Sequence, residues 1–493
     1  MIRAVRNARP LGGHDPVDLV LRDGIISAVA PAGALDIADG PDVIEADGRF
    51  VLPGLWDEHV HMTQWAQSRR RIDVGEAESA AEAAAIVRSA LAGRSVSDEV
   101  IVGAGFRDGL WPDAPTAGVL DGVVADRPLV LISADVHAVW LNTAAMVRFG
   151  IETGEGLLRE EAAFAVTREL DTASDATIDE WVREAAADAA ARGVVGIVDL
   201  EMRWNLDDWM RRVAGGFDAL RVEFGVYPQH LDRAIAQRLR SGLPVASEVS
   251  VGPLKVITDG SLNTRTAYCC DPYPDASDHA YGLLTVPPCD LQPLMARAHA
   301  AGFRLAVHAI GDAANRLALD AFARLGHGGR IEHAQLVRRS DLPRFAALGV
   351  TASVQPEHAM DDRDVAERYW PGRTHRAFPL RDLIDSGAHV VLGSDAPVAP
   401  LDPWIAISAA TARTRDERAP FHGEQAITAA EALAASARTR IAAGEHADLV
   451  LVDSDPLDMD ARALRTMTVA HTLMAGRPTF GPAVTAQHDA ATA

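Results

Sequence analysis

Two histidines stand one residue apart in the stretch WDEHVHM (56–62), directly after the apolar run FVLPGLW. In a strand, residues i and i+2 project from the same face. His59 and His61 are therefore placed to share a metal ion, although a pair of surface histidines would look the same in isolation. Neutral imidazoles are good ligands for zinc and its neighbours. A divalent ion brings the pKa of a water near neutrality and supplies hydroxide. A carboxylate beside that water can carry its proton to a departing amine. Asp395, in VVLGSDAP, suits that role; the alternative is a helix cap. Lys255, in GPLKVITDG, is the odd member. A protonated ammonium repels a metal, whereas a buried neutral amine can add carbon dioxide to form a carbamate, N6-carboxylysine. The alternative is a structural ion pair, for instance with Asp259.

The elements that would position these groups are strands. VVGIVDLE (194–201), GPLKVITDG (252–260), FRLAVHAIGD (303–312), GRIEHAQ (329–335), GVTASVQP (349–356) and AHVVLGSD (388–395) are apolar and strand-like. Helical patterns such as IDEWVREAAADAAARG and LQPLMARAHAAG alternate with several of them. This alternation predicts an α/β fold, a (β/α)8 TIM-like barrel. His59, His61, His308, His333 and Asp395 sit at strand ends, and the C-terminal ends of barrel strands converge on one rim. DLVLRDGIISAVAP (18–31) reads as a hairpin around Asp-Gly, and 446–457 and 469–480 look similar. The expected organisation is a small β-sandwich domain from residues 1–52 and 440–485, with the barrel over 53–439. Residues of about 62–150 do not fit one βα unit and are expected to form an insertion after the first barrel strand, possessing a helix (76–93) and a strand (128–135). The last residues, QHDAATA, read as a frayed tail.

Composition narrows the function. The chain has 493 residues, 48% hydrophobic and 24% charged, an ordinary globular balance. The net charge of −22, without a Lys/Arg cluster, argues against nucleic acid or an anionic membrane as partner. Cys269, Cys270 and Cys289 form no C-x-x-C pair and read as free thiols in a reducing cytoplasm. No secretory leader and no membrane-length apolar run is visible. The expected partner is a small-molecule substrate, with a homo-oligomer as a further expectation.

WDEHVH, GPLKVITDGSLNTRTA, VHAIGDAAN, RIEHAQ, SVQPEH and GSDAPVAPLDPW, in this order, resemble the YtcJ-like branch of the metal-dependent amidohydrolase superfamily, amidohydrolase family 3. The resemblance runs from about residue 17 to 477. It implies a barrel with a β-sandwich built from both termini. It also implies one metal on His59 and His61, a carboxylated Lys255 as bridge, a second metal on His308 and His333, and Asp395 as acid/base and additional ligand. The metal complement would be one or two divalent ions, with zinc expected. The segment 105–146 resembles the family's insertion and carries its characteristic histidine, His137, as a substrate-binding candidate. Asn263 departs from the family pattern, where glycine is usual. Arg265 is a candidate anchor for a substrate carboxylate or else a surface salt bridge, and Gln355 and His358 either orient a substrate carbonyl or hydrogen-bond a loop. Asp312 is a candidate partner for His308 or else a helix cap, and Asp259 is a candidate partner for Lys255. Glu201 is on the rim without an assigned role. Trp65, Trp111 and Trp140 read as aromatic packing.

The reading is a hydrolase that cleaves an amide-like C–N bond (amide, N-formyl or cyclic amide) with metal-activated hydroxide. The alternatives are a deaminase or other hydrolase on the same site, and a non-catalytic binding protein on the same fold.

Overall fold

Eight parallel strands form the centre of the molecule: β1 (Leu55–Val60), β2 (Val194–Asp199), β3 (Arg221–Val226), β4 (Val249–Ile257), β5 (Leu305–Ala309), β6 (Arg330–His333), β7 (Thr351–Val354) and β8 (Val390–Leu392). The computed structural model describes residues 1–92, 100–152, 154–170, 173–274 and 279–482; the QHDAATA segment lies outside them. Each strand pairs in parallel with the next in chain order. Closure is made beyond β8, where the Asp395 N–H donates to His59 O (2.7 Å) and the His61 N–H donates to Ala396 O (2.8 Å). The strands are apolar on both faces, as parallel strands covered by helices must be; β1, β2 and β5 are buried throughout.

β3 is the barrel strand that the sequence pattern does not single out. Its run RVEFGV carries two charges, which mask the apolar signal. Arg221 pairs with Glu248 and Asp448, and Glu223 with Arg304 and Arg438.

The helices pack by spacing. Asp175–Ala191 buries Ile178, Val182, Ala186 and Ala190 along one stripe, and the Ser174 side chain caps it by accepting from the Thr177 N–H. Asp312–Leu325 follows β5 and ends at Gly326, whose φ of 68° is the left-handed conformation of a helix C-terminus.

Both chain ends meet in one sheet. Phe50–Pro53 pairs with Leu449–Val452, which pairs with Val469–Met474 and then Arg477–Phe480. On its other side Phe50–Pro53 adjoins Ala4–Pro10, then the hairpin Val17–Arg22 and Ile25–Pro31. Asp23 and Gly24, at φ 51° and 77°, make the turn that Asp-Gly predicts. Hydrogen bonding links these strands into a single sheet around an apolar cluster that includes Val5, Leu19, Val51 and Leu449.

The insertion after β1 has its own sheet, ordered Leu157–Arg159, Ala138–Leu141, Leu129–Ser133, Ile101–Phe106 and Ile72–Asp73. It runs past residue 150, because Leu157–Arg159 is its edge strand and Glu161–Glu169 packs on it. Phe106, Trp111 and Trp140 pack with ring centroids 5.8–6.2 Å apart, Trp140 within the insertion's core and Trp111 half-buried against it. Among the described residues no helix is long and apolar enough to cross a membrane.

Candidate metal centre

The rim of the barrel collects the predicted groups. His59 lies one residue before the end of β1, with His61 just beyond it. Lys255 lies in β4 two residues before its end, His308 near the end of β5, and His333 at the end of β6. Register explains the convergence: Ile257 pairs with His308, and Ala309 with His333. His333 and Asp395 have φ of 72° and 58°. Such left-handed backbone costs a non-glycine residue about 1–3 kcal/mol and concentrates at functional sites.

Asp395 is the hub. Its Oδ1 lies 3.2 Å from His61 Nε2 and 3.3 Å from His59 Nε2, and its Oδ2 lies 3.9 Å from His358 Nε2. Lys255 Nζ is 3.2 Å from His59 Nε2. The His308 and His333 rings are 4.4 Å apart, and His333 stacks near His358 at 5.9 Å. Ligand atoms of His59, His61 and Asp395 lie within 4.8 Å of one another, as do those of His333, His358 and Asp395. The second triplet contains His358, a substrate-binding candidate on sequence grounds, rather than His308.

The donor set fits a divalent transition ion. Nδ1 of His61, Nδ1 of His333 and Nε2 of His358 are buried without a hydrogen-bond partner, which is costly unless something binds there. Burial, helped by the neighbouring Lys255 ammonium, pushes the His59 imidazole down to about 4. Burial likewise holds His308 and His333 well below their ordinary value. These imidazoles are neutral at pH 7, the state in which they ligate. Burial alone would raise the Asp395 carboxyl; the surrounding His59, His61 and His333 outweigh it and hold it well below the usual carboxylate range. Burial lowers the Lys255 amine to about 8, within reach of the neutral form that carbamate chemistry needs.

Several expected roles move to other residues. Asp259 does not pair with Lys255. Its carboxylate accepts N–H groups of Tyr268, Ile310 and Gly311 at 2.8–3.1 Å and lies 3.4 Å from His308 Nε2. It thus takes the place beside His308 expected of Asp312, which instead accepts from the Cys270 N–H and pairs with Arg376. Arg265 is exposed and stacks on the Tyr369 ring, outside the cavity. Gln355 lies beside His59, 3.4 Å from Nδ1, and does not line the cavity. Glu201 accepts from the Gln64 backbone and amide and so anchors the helix Met62–Ser68.

Two carboxylates were missed. Glu332 Oε2 lies 2.8 Å from His59 Nδ1, and its Oε1 accepts from Arg330 at 2.6 Å. Burial and then Arg330 act on it in opposite directions, and the guanidinium prevails, holding Glu332 well below the usual range. The alternating charges of RIE were the available signal, since i and i+2 share a face. Asp57 accepts from the His59 and Ser394 N–H groups, tying β1 to the segment after β8.

A cavity of about 180 Å³ opens above the rim. The barrel contributes the metal-centre residues, and the insertion contributes Arg107, Leu110, Val136, His137 and Phe164. His137 Nδ1 pairs with Glu160 Oε2 at 2.9 Å. Glu160 also accepts from Thr264 and Thr266. Asn263 closes against the insertion: a Cβ on Gly109 would lie 2.4 Å from its Oδ1.

Residues 42–480 match the model of the amidohydrolase family, and the chain belongs to that family. As a member it is a metal-dependent amidohydrolase. It is 26% identical to the putative amidohydrolase YtcJ of Bacillus subtilis, over 93% of this chain and 94% of that protein. The N-substituted formamide deformylase of Arthrobacter pascens is also 26% identical, with 93% and 94% covered. An uncharacterized metal-dependent hydrolase from Pyrococcus horikoshii shares the fold, with a TM-score of 0.76, 23% identity, and 93% and 98% of the two chains covered.

Proposed function

We propose that this chain hydrolyses an amide-like C–N bond of a small molecule: an amide, an N-formyl group or a cyclic amide. A relative named as an N-substituted formamide deformylase, covered nearly end to end, supports that bond type. The observation that carries the reading is the position of Asp395, whose two oxygens face His59 and His61 on one side and His358 on the other.

A divalent ion held by His59, His61, His333, His358 and Asp395, zinc being suited to this set, would supply a water of near-neutral pKa and polarise a carbonyl oxygen. Asp395 stays ionised in its ring of imidazoles. It therefore accepts a proton from the attacking water and returns it to the departing nitrogen. Glu332 orients His59 by accepting a hydrogen bond from its Nδ1–H, which leaves the unprotonated Nε2 facing the centre. Lys255, buried beside His59 with a lowered pKa, is the residue on which a carbamate would form. His137, held by Glu160, presents its ring to the cavity as a donor for the substrate. Leu110, Val136, Phe164 and Leu262 provide an apolar wall, which suits a substrate with a hydrocarbon portion.

The test is Asp395→Asn on a panel of small amides and formamides. The expected loss in kcat is about 10²–10⁴-fold, with the substitution leaving an oxygen for the metal. Near-normal turnover would remove Asp395 from the proton transfer.

A further inference from the structure

The helix His358–Tyr369 turns one face toward the cavity. His358, Asp361, Asp362 and Val365 all line it, at the i, i+3, i+4 and i+7 positions of one helical face. His358 stands at the metal centre. Asp362 lies one turn further out, about 6 Å along the axis.

Its acidic neighbours are neutralised. Asp361 pairs with Arg107 at 3.2 Å and Arg415 at 2.5 Å. Asp364 pairs with Arg418 at 2.7 Å. Asp135, which also lines the cavity, is satisfied by hydrogen bonds from Ser133 Oγ, Ser261 Oγ and the His137 N–H. Asp362 differs from all three. Among the described residues it has no ion-pair partner and one hydrogen bond, from Gln335 Nε2 to Oδ2 at 2.8 Å. Burial, followed by the adjacent Asp361 carboxylate, pushes its carboxyl up to about 7. The guanidinium that acts on Asp362, Arg107, is ion-paired to Asp361 and makes no ion pair with Asp362 itself, so a cation that enters the cavity would stabilise the Asp362 carboxylate. Of the cations that line the cavity, Arg107 is paired with Asp361, His137 with Glu160, and Lys255 lies at the metal centre beside His59, so the wall around Asp362 favours a positive ligand group over a negative one.

We propose that Asp362 is a specificity-determining residue that receives a protonated amine of the substrate, one helical turn from the scissile bond. The assignment rests on the hydrolase reading above and narrows its substrate to an aminated amide. The methylenes between the two nitrogens would lie along Val365, Leu110 and Leu262.

The test uses two hydrolysis-resistant amide analogues of matched length, N-(4-aminobutyl)methanesulfonamide and N-pentylmethanesulfonamide. Their binding to the metal-loaded protein is measured by calorimetry. The wild type is expected to bind the amino compound at least ~10-fold more tightly, the scale of a charge-assisted contact. Asp362→Asn keeps an acceptor for Gln335 and is expected to erase that preference. Equal affinities in the wild type, no measurable binding of the amino compound, or a preference that survives in Asp362→Asn would each overturn the assignment. Turnover of neutral amides without any amine preference would overturn it while leaving the hydrolase reading intact. An amine preference in binding with no amide hydrolysed would instead overturn the hydrolase reading.

Discussion

His59 Nδ1 lies 2.8 Å from Glu332 Oε2, with both side chains essentially inaccessible to solvent. The contact fixes which nitrogen of His59 carries its proton, so that Nε2 is presented to Lys255 and Asp395. Glu332 is fixed in turn by Arg330, which also bonds Glu58 and Ser353. The metal centre thus rests on a charged network inside the barrel.

Glu332→Gln should therefore weaken metal binding without unfolding the barrel. The expected rise in the metal dissociation constant is about 10–100-fold, read by chelator competition with circular dichroism as the control for folding. An unchanged constant would show that His59 holds its orientation without Glu332.

The His137–Glu160 pair sets a pH dependence. Burial opposes the charge on His137, but Glu160 outweighs it and raises its pKa to about 9. The stabilisation from a raised histidine is complete below its unfolded value of about 6.5 and is lost as pH rises through about 9. Burial opposes Glu160 as well, but His137 outweighs it and lowers its pKa to about 2. That contribution is present above the ordinary carboxylate range and is lost as pH falls through about 2. Substrate binding that uses the His137 proton should weaken near pH 9 in the wild type. In Glu160→Gln the same limb in KM should move toward neutrality. Coincident KM profiles in the two proteins would contradict the role given to His137.

Gly311 is required by packing. A Cβ there would lie 2.0 Å from Tyr268 O and 2.7 Å from Tyr268 N, and this backbone N–H donates to Asp259 beside His308. Gly311→Ala should destabilise the protein by about 1–3 kcal/mol, the scale of overpacking, and lower its metal affinity. A wild-type melting temperature in this variant would mean that the loop can shift freely.

Much of the centre is legible in sequence because barrel topology brings strand ends together. His59, His61, Lys255, His308, His333 and Asp395 each sit at or near such an end, and parallel register carries them to one rim. What sequence does not give is the direction of loop side chains. Arg265 and Gln355 lie within the motifs, yet one is exposed and the other lies beside His59, away from the cavity wall. The exchange of Asp312 for Asp259 has the same origin, since Asp259 follows β4 in a loop and Asp312 opens the helix after β5, both near His308. The role of Glu332 is not legible in sequence because it depends on β6 packing the carboxylate between His59 and Arg330, and local spacing does not encode the contact with His59. The insertion's far boundary was missed because its edge strand, Leu157–Arg159, is only three residues long.

The central claim is a metal-dependent amidohydrolase centre built on these strand ends. The most direct test is metal content per chain, in wild type and Lys255→Ala purified with bicarbonate and without chelator, alongside amide hydrolysis before and after metal removal. The account predicts one or two equivalents of a zinc-like ion in the wild type, fewer in Lys255→Ala, and activity that disappears with the metal and returns on its addition. A wild-type protein that takes up no metal on reconstitution, or that hydrolyses amides equally well without it, would contradict the account.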